Sequence, residues 1–291
     1  MRIYRTPQRA AFEVVNYVLF ALFSITIIMP FVHALAISLS SPDAVLQSRV
    51  TLWPVELDTR AYRIILSSSV FLRSFLNTVV ITVVKTTLSI SICLAAGYAL
   101  SSRHFVGVRI AFLFILVPMY FSGGLIPTYL TVSAYGLNNT YGALVLPNLI
   151  TIFYIIVFRN AIARLPQEII ESAEMDGASE FTILVRIIVH LIVPMIMAFT
   201  IFAAVQYWNE WFNVLIYVRD KSKWTLQYML RDIYLNPVFT AGTDTILVER
   251  PLNPQNIIMA AMMCTVLPII VIYPFLQRFF IHGALVGAVK G

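Results

Sequence analysis

Acidic residues are scarce in this sequence: 14 Asp and Glu among 291 residues, against 20 Lys and Arg. Charged residues of both signs make up 12% of the chain and hydrophobic ones 59%. A soluble domain carries about 25% charged residues and about 45–50% apolar ones. The mean hydropathy is +0.84. No aqueous core hides that much apolar surface, so much of it must face lipid, and an ordinary soluble enzyme is excluded. The net charge of +6 would point a soluble protein toward nucleic acid. Here the need for basic residues at membrane flanks accounts for it. Cysteine is nearly absent. Cys93 and Cys264 both lie in apolar runs, which leaves no disulfide framework and no thiolate metal site. His33, His104, His190 and His282 are scattered, without the spacing of metal ligands, so no metal is expected. The sequence also has no Gly-x-x-x-x-Gly-Lys-Ser/Thr stretch, so the chain has no phosphate cradle of the usual kind and is not expected to bind ATP itself.

What is present is a series of long apolar runs. A membrane-spanning helix needs about 20 mostly apolar residues. Six stretches qualify: 14–37, 74–100, 110–130, 141–158, 183–207 and 257–280. The pattern predicts an all-α integral membrane bundle of six transmembrane helices. Pro118, Gly123, Gly124 and Pro127 predict a kinked or broken third span. The first run follows Arg2, Arg5 and Arg9, and Ala34-Leu35-Ala36 resembles a cleavage site. The run is far longer than the roughly 7–15 apolar residues of a signal peptide, so it reads as an uncleaved helix. Basic residues in short loops, Arg103, Arg109, Arg159 and Arg164 among them, put both termini in the cytosol. The long connections 38–73 and 208–256 then lie outside. Residues 58–77 read as a surface helix in which Tyr62, Ile65, Leu66 and Ser69 share a face, with Arg60, Arg63 and Arg73 placed to snorkel. The chain thus divides into 1–73 (tail, first span and surface helix), 74–281 (a five-span core) and 282–291 (a cytosolic tail).

One cytosolic segment carries the strongest local signals. Pro166 suits a first helical turn, and Glu168 and Glu171 suit the positive end of a helix dipole. Gly177 suits a left-handed terminus, and Ser179 can cap the helix that follows. Ile169, Ile170 and Ala173 fall on one side of this helix, expected over about 166–177; Glu168, Glu171 and Glu174 fall on the other. Such a helix either packs on its own bundle or serves as a knob for a cytosolic partner.

The segment resembles the EAA loop of bacterial ABC importer permeases. The match runs through Glu171, Ser172, Ala173 and Gly177, with Ile187 at the expected distance. Val189 and His190 stand where Leu and Pro are usual, and Pro194 matches a second proline of the carbohydrate branch. Residues 58–77, Trp208-Asn209-Glu210-Trp211, Lys223-Trp224-Thr225-Leu226 and the tail Gly287-Ala-Val-Lys-Gly291 are similar to segments of maltose-type permeases. The resemblance implies a non-catalytic subunit that forms half of an oligosaccharide pathway. Its partners would be a second permease chain, an ATPase dimer that binds ATP and Mg, and an external solute-binding protein. It leans toward the subgroup handling complex or acidic oligosaccharides such as alginate. Ile170, Glu171, Ser172, Ala173, Asp176 and Gly177 are then the residues expected to couple to the ATPase, and 218–256 is expected to meet the solute-binding protein.

Lys85 lies midway along the second span, where a charge costs about 2.5–3.5 kcal/mol on insertion scales. It is either a structural lysine bonded to carbonyls or to a partner's carboxylate, or part of the substrate path. Tyr154, Gln206 and Asn209 are the other substrate-path candidates, offering a ring face and polar groups for a sugar. An ion-coupled secondary transporter is the competing function. It would require inverted repeats and intramembrane carboxylates, and neither is evident.

Overall fold

The computed structural model describes residues 7–102, 106–236 and 253–288, and every regular element among them is helical. The chain forms two compact units, Met1–Phe71 with Leu230–Leu267, and Leu72–Met229 with Pro268–Gly291.

The first unit begins with α1 (Pro7–Ser38), whose apolar stretch leaves only 6% of its best window buried. Its polar side chains return to their own backbone: Ser24 and Thr26 donate to the carbonyls of Phe20 and Leu22. This is how a hydroxyl is satisfied inside an apolar helix. Beyond Ser38 the chain turns into α2 (Pro42–Leu46), and Ala36, Ile37, Ala44, Val45 and Val50 form a small core. Ser40 ties this turn together, donating to the Ala36 carbonyl at 2.6 Å and accepting from the Val55 amide at 3.0 Å. The expected surface helix over 58–77 is shorter in the structure. Here α3 (Arg60–Ser67) ends at Ser68, whose ψ of 116° leaves the helical region, and Ser69 already begins the next helix. Ile65 is buried and Tyr62 meets Ser38 at 2.7 Å, while Leu66 remains 52% exposed.

The second unit is organised on α4 (Ser69–Ser101), 33 residues without a break. Its buried face is polar for most of its length. Ser74, Asn77, Thr78, Thr82, Lys85, Thr86 and Ser89 recur every three or four residues and point inward, followed by Cys93. Around it the apolar runs are interrupted. α5 (Val108–Tyr120) and α6 (Leu125–Ala134) meet at 114°, the predicted break in the third span, at Gly124 with φ +85°. The run 141–158 does not form one helix. A single turn, α7 (Gly142–Val145), is followed by an irregular stretch and then by α8 (Ile152–Ile162). Pro147 has no amide to donate there, and Asn148 is left-handed at φ +56°.

The next element is α9 (Gln167–Met175). The run 183–207 is also divided. It forms α10 (Glu180–Leu191), π-wound over Ile183–Ile188, and α11 (Val193–Trp208), bent by 86° at Ile192 where Pro194 lacks a donor. The chain continues through α12 (Phe212–Tyr217), a 3-10 turn at Lys221–Lys223, α13 (Leu226–Leu235) and α14 (Pro254–Ala288). Within the first unit, Asn256 donates to the carbonyls of Ile37 and Ser40 at 2.9 Å each. Among the described residues, three helices (in α1, α4 and α14) are long and apolar enough to cross a membrane, and counting each bent pair as one span gives five. α8 is apolar and shorter. Its Tyr154, Ile155, Phe158 and Ile162 join Cys93, Ile183, Ile188, Phe199, Ala203 and Tyr207 in the core of the second unit.

α4 and α8 approach closely at Gly97. A Cβ there would lie 2.8 Å from the Phe158 Cβ and 3.0 Å from the Arg159 amide nitrogen. Only glycine lets α4 and α8 meet at this distance. Arg159 fixes the crossing, with Nε 3.0 Å from the Leu100 carbonyl and the guanidinium over the Phe112 ring at 4.5 Å.

Candidate functional site

The local sequence builds α9 without help. Gly177 takes φ +78°. Its amide donates to Glu174 O, and the Ala178 amide donates to Ala173 O, both at 3.0 Å. This pair of bonds is the Schellman ending, which satisfies helix carbonyls that would otherwise be orphaned. Nothing lies within 4 Å of the position a Cβ would take on Gly177, so the glycine serves the backbone angle and no steric need. Ser179 then caps α10 by accepting from the Thr182 amide at 3.3 Å.

Of the six residues expected to couple to an ATPase, Ala173 is buried and Ile170 packs partly against the core of the second unit. Glu171, Ser172, Asp176 and Gly177 are exposed. The Ser172 hydroxyl is turned back to the Ile169 carbonyl. Ile169, expected on the apolar side, is 37% exposed, and Met175 and Phe181 stand out at 88% and 74%. The loop therefore presents acidic and apolar side chains together. Tyr98 of α4 donates to the Glu180 carboxylate at the start of α10, joining the long helix to the segment that follows α9.

At mid-length of α4, Lys85 is fully buried. Its ammonium donates to Leu144 O at 2.9 Å and lies 4.8 Å from the centroid of the Tyr207 ring. The Tyr207 hydroxyl in turn reaches Ser89 Oγ at 3.2 Å and the carbonyls of Leu149 and Asn148 at 3.4 and 3.5 Å. The interrupted stretch after α7 is thus capped by side chains from α4 and α11. Unsatisfied carbonyls at membrane depth cost several kcal/mol each, so broken backbone survives there only with such partners.

The other substrate-path candidates fall in two places. Tyr154 is interior, its ring stacked on Phe199 at 4.5 Å. Gln206 and Asn209 are exposed at the end of α11, where Asn209 accepts from the Gln227 amide at 3.1 Å. A crevice of about 310 Å³ lies among α4, α11 and α14, lined by Phe75, Val79, Val83, Ile201, Val205 and Ile269. Thr82 and Trp208 also line it, but their polar atoms are buried, so the surface open to the crevice is apolar.

At the other end of α4 a second cluster grips the stretch 219–226. Asn77 Nδ2 donates to the carbonyls of Ser222 and Trp224 at 2.8 and 3.0 Å, and Thr78 Oγ1 accepts from the Leu226 amide at 2.7 Å. Asn139, left-handed at φ +59°, accepts from the amides of Arg219 and Asp220. Lys223, at 2.8 Å, and Ser222 hold the Asp220 carboxyl well below the usual carboxylate range. Of the segment expected to meet the solute-binding protein, 237–252 lies outside the described residues, as do Arg103 and His104 and the last three residues of the tail.

Asn77, Thr78, Gly97, Tyr98 and Tyr207 were not singled out as contact residues from sequence. The signal available was the recurrence of polar residues every three or four positions within an apolar run.

The family model for the binding-protein-dependent transport system inner membrane component matches residues 3–284. Protein LplC of Bacillus subtilis is 35% identical over 99% of this chain and 98% of its own. The polygalacturonan/rhamnogalacturonan transport system permease YtcP of the same organism is 33% identical over 96% of this chain and 98% of its own. Among solved structures, a chain of a bacterial ABC transporter involved in import of the acidic polysaccharide alginate superposes with a TM-score of 0.88 at 28% identity, covering 96% of this chain and 99% of that one.

Proposed function

We propose a division of labour for this chain, which belongs to the family of binding-protein-dependent transport system inner membrane components and is a permease subunit of an ABC importer. Its cargo is an oligosaccharide, and the names of its relatives favour one rich in uronic acid units. With a second permease chain it forms the pathway, while ATP and Mg are held by separate ATPase subunits. Both termini face the ATPase side. The stretch 219–226 and the residues beyond it face the solute-binding protein.

The observation that carries this reading is α9 itself. It seats Ile170 and Ala173 on the core of the second unit, ends on Gly177, and leaves Glu171, Met175 and Asp176 outside, followed by the exposed Phe181 of α10. A helix serving only its own bundle would not leave Met175 and Phe181 so bare; a groove in an ATPase would cover them. Lys85 then acts on the pathway at one remove, holding the break after α7 in place. Gln206 and Asn209 are the exposed polar groups offered to sugar. The competing reading, an ion-coupled exchanger, gains no support from α4, whose polar face carries no carboxylate.

The test is ATP turnover by the purified complex in lipid, with receptor loaded by oligouronates or by neutral glucans. Stimulation by the oligouronate-loaded receptor alone is expected. Equal stimulation by both would remove the acidic cargo, and hydrolysis by this chain without the ATPase would remove the assignment of a permease.

A further inference from the structure

The loop after the first span has a shape and an exposed face that transport of a sugar does not explain. Along α1, Glu13 pairs with Arg9 at 3.2 Å, and no charged residue separates it from His33. At about 1.5 Å per residue the rise from Glu13 to His33 is about 30 Å, the thickness of a bilayer's hydrocarbon core. These two residues therefore mark the two faces of the membrane. His33 Nδ1 lies 2.5 Å from the Thr51 carbonyl oxygen. The chain has by then passed the end of α1 at Ser38 and turned, so loop 47–59 doubles back alongside the helix to the depth of His33.

The loop is built to hold that position. Arg49 and Glu56 pair at 3.2 Å, and Ser41 donates to Glu56 at 2.7 Å. Ser48 and Glu56 both adopt φ of +54°, a conformation that disfavours ordinary side chains. Val50 is buried in the small core. Yet the loop turns its apolar side chains outward: Trp53 is 80% exposed, Leu57 76% and Leu52 39%. The end of α1 is itself exposed and apolar at Met29, Phe31 and Leu35.

We propose that loop 47–59 is a membrane-interface anchor, in which Trp53, with Leu52 and Leu57, enters the lipid headgroup layer beside the end of α1. The indole suits this place, its ring entering the apolar side while its N–H meets the wet side. The occupant is lipid rather than a protein partner, because the fold-back carries the loop to the depth where the lipid-facing surface of α1 ends.

The test places a nitroxide on Trp53→Cys or Leu57→Cys in the assembled complex in lipid nanodiscs. Collision with oxygen, which concentrates in lipid, is compared with collision with a water-soluble nickel chelate. Asp43→Cys, on the exposed start of α2, is the aqueous reference, and Ile25→Cys, mid-helix in α1, is the lipid reference. The unsubstituted complex reports background from Cys93 and Cys264. An oxygen-to-nickel ratio several-fold above that of position 43 is expected at 53 and 57. A ratio equal to that of position 43 overturns the anchor, and so does a label closed to both reagents, which would mean that protein covers the loop. If position 25 also reads as aqueous, the span itself is misassigned; if only 53 and 57 do, the anchor alone falls.

Discussion

The turn at 176–179 and the break at 146–151 each hinge on one left-handed residue, Gly177 at φ +78° and Asn148 at φ +56°, but they are held by opposite means. Around Gly177 the backbone bonds are local, from the Ala178 amide to Ala173 O and from the Thr182 amide to Ser179 Oγ, and the distant Tyr98 reaches only the neighbouring Glu180 side chain. Around the break the partners are remote. Lys85 reaches Leu144 from 59 residues away, and Tyr207 reaches Leu149 from 58. The turn at 176–179 can therefore form from its own sequence as a unit. The break exists only once α4 and α11 have closed on it, because lipid supplies no substitute for their hydrogen bonds.

Substitutions test this contrast, beginning with the largest expected effect. Lys85→Ala removes both the cap and the side-chain volume. A large-to-small change of that kind costs about 2–5 kcal/mol in a core, so the thermal midpoint in detergent and the abundance should fall sharply. Lys85→Met restores the volume and leaves only the Leu144 carbonyl unpaired, a loss of about 1–3 kcal/mol. A methionine variant as stable as the parent would mean that the break does not depend on the ammonium. Gly97→Ala should cost about 1–3 kcal/mol, the usual cost of overpacking, because its methyl meets the backbone of α8; a melting curve decides. Gly177→Ala should cost about 1–2 kcal/mol and leave membrane abundance intact, while less ATPase co-purifies. Gly177→Asn should recover most of that loss, since asparagine tolerates the left-handed region. If abundance falls along with ATPase retention, the turn is not the independent unit described above. Tyr207→Phe should be mildest, at about 0.5–1.5 kcal/mol, because it removes only long bonds of 3.2 to 3.5 Å and keeps the ring under Lys85.

The same contrast explains what the sequence made legible. Gly177, Ser179 and the sides of α9 were readable because each rests on neighbours within one or two turns. The broken third span was readable because Gly123, Gly124 and Pro127 are themselves the breakers. The breaks inside the runs 141–158 and 183–207 are less legible, because Pro147 with Asn148 and Pro194 interrupt the helix while leaving the apolar content of each run intact. Two readings of Lys85 stood open in the sequence, and the structure gives it a carbonyl partner in Leu144. Which carbonyl it met was not legible, since that depends on how α7 approaches α4. Gly97 was overlooked because a single glycine inside a long helix has no local consequence; its meaning lies in Phe158, a residue on another helix.

The unbroken length of α4 gives it the properties of a lever. At about 1.5 Å per residue, Lys85 stands about 10 Å from Thr78 and about 20 Å from Tyr98. The short arm ends at the grip on Ser222, Trp224 and Leu226, and the long arm at Glu180 and the crossing with α8. A rod turning about the lysine as fulcrum moves its long end roughly twice as far as its short one. A rigid tilt of α4 about Lys85 would therefore displace the end beside Glu180 about twice as far as the end beside residues 222–226, and in the opposite direction.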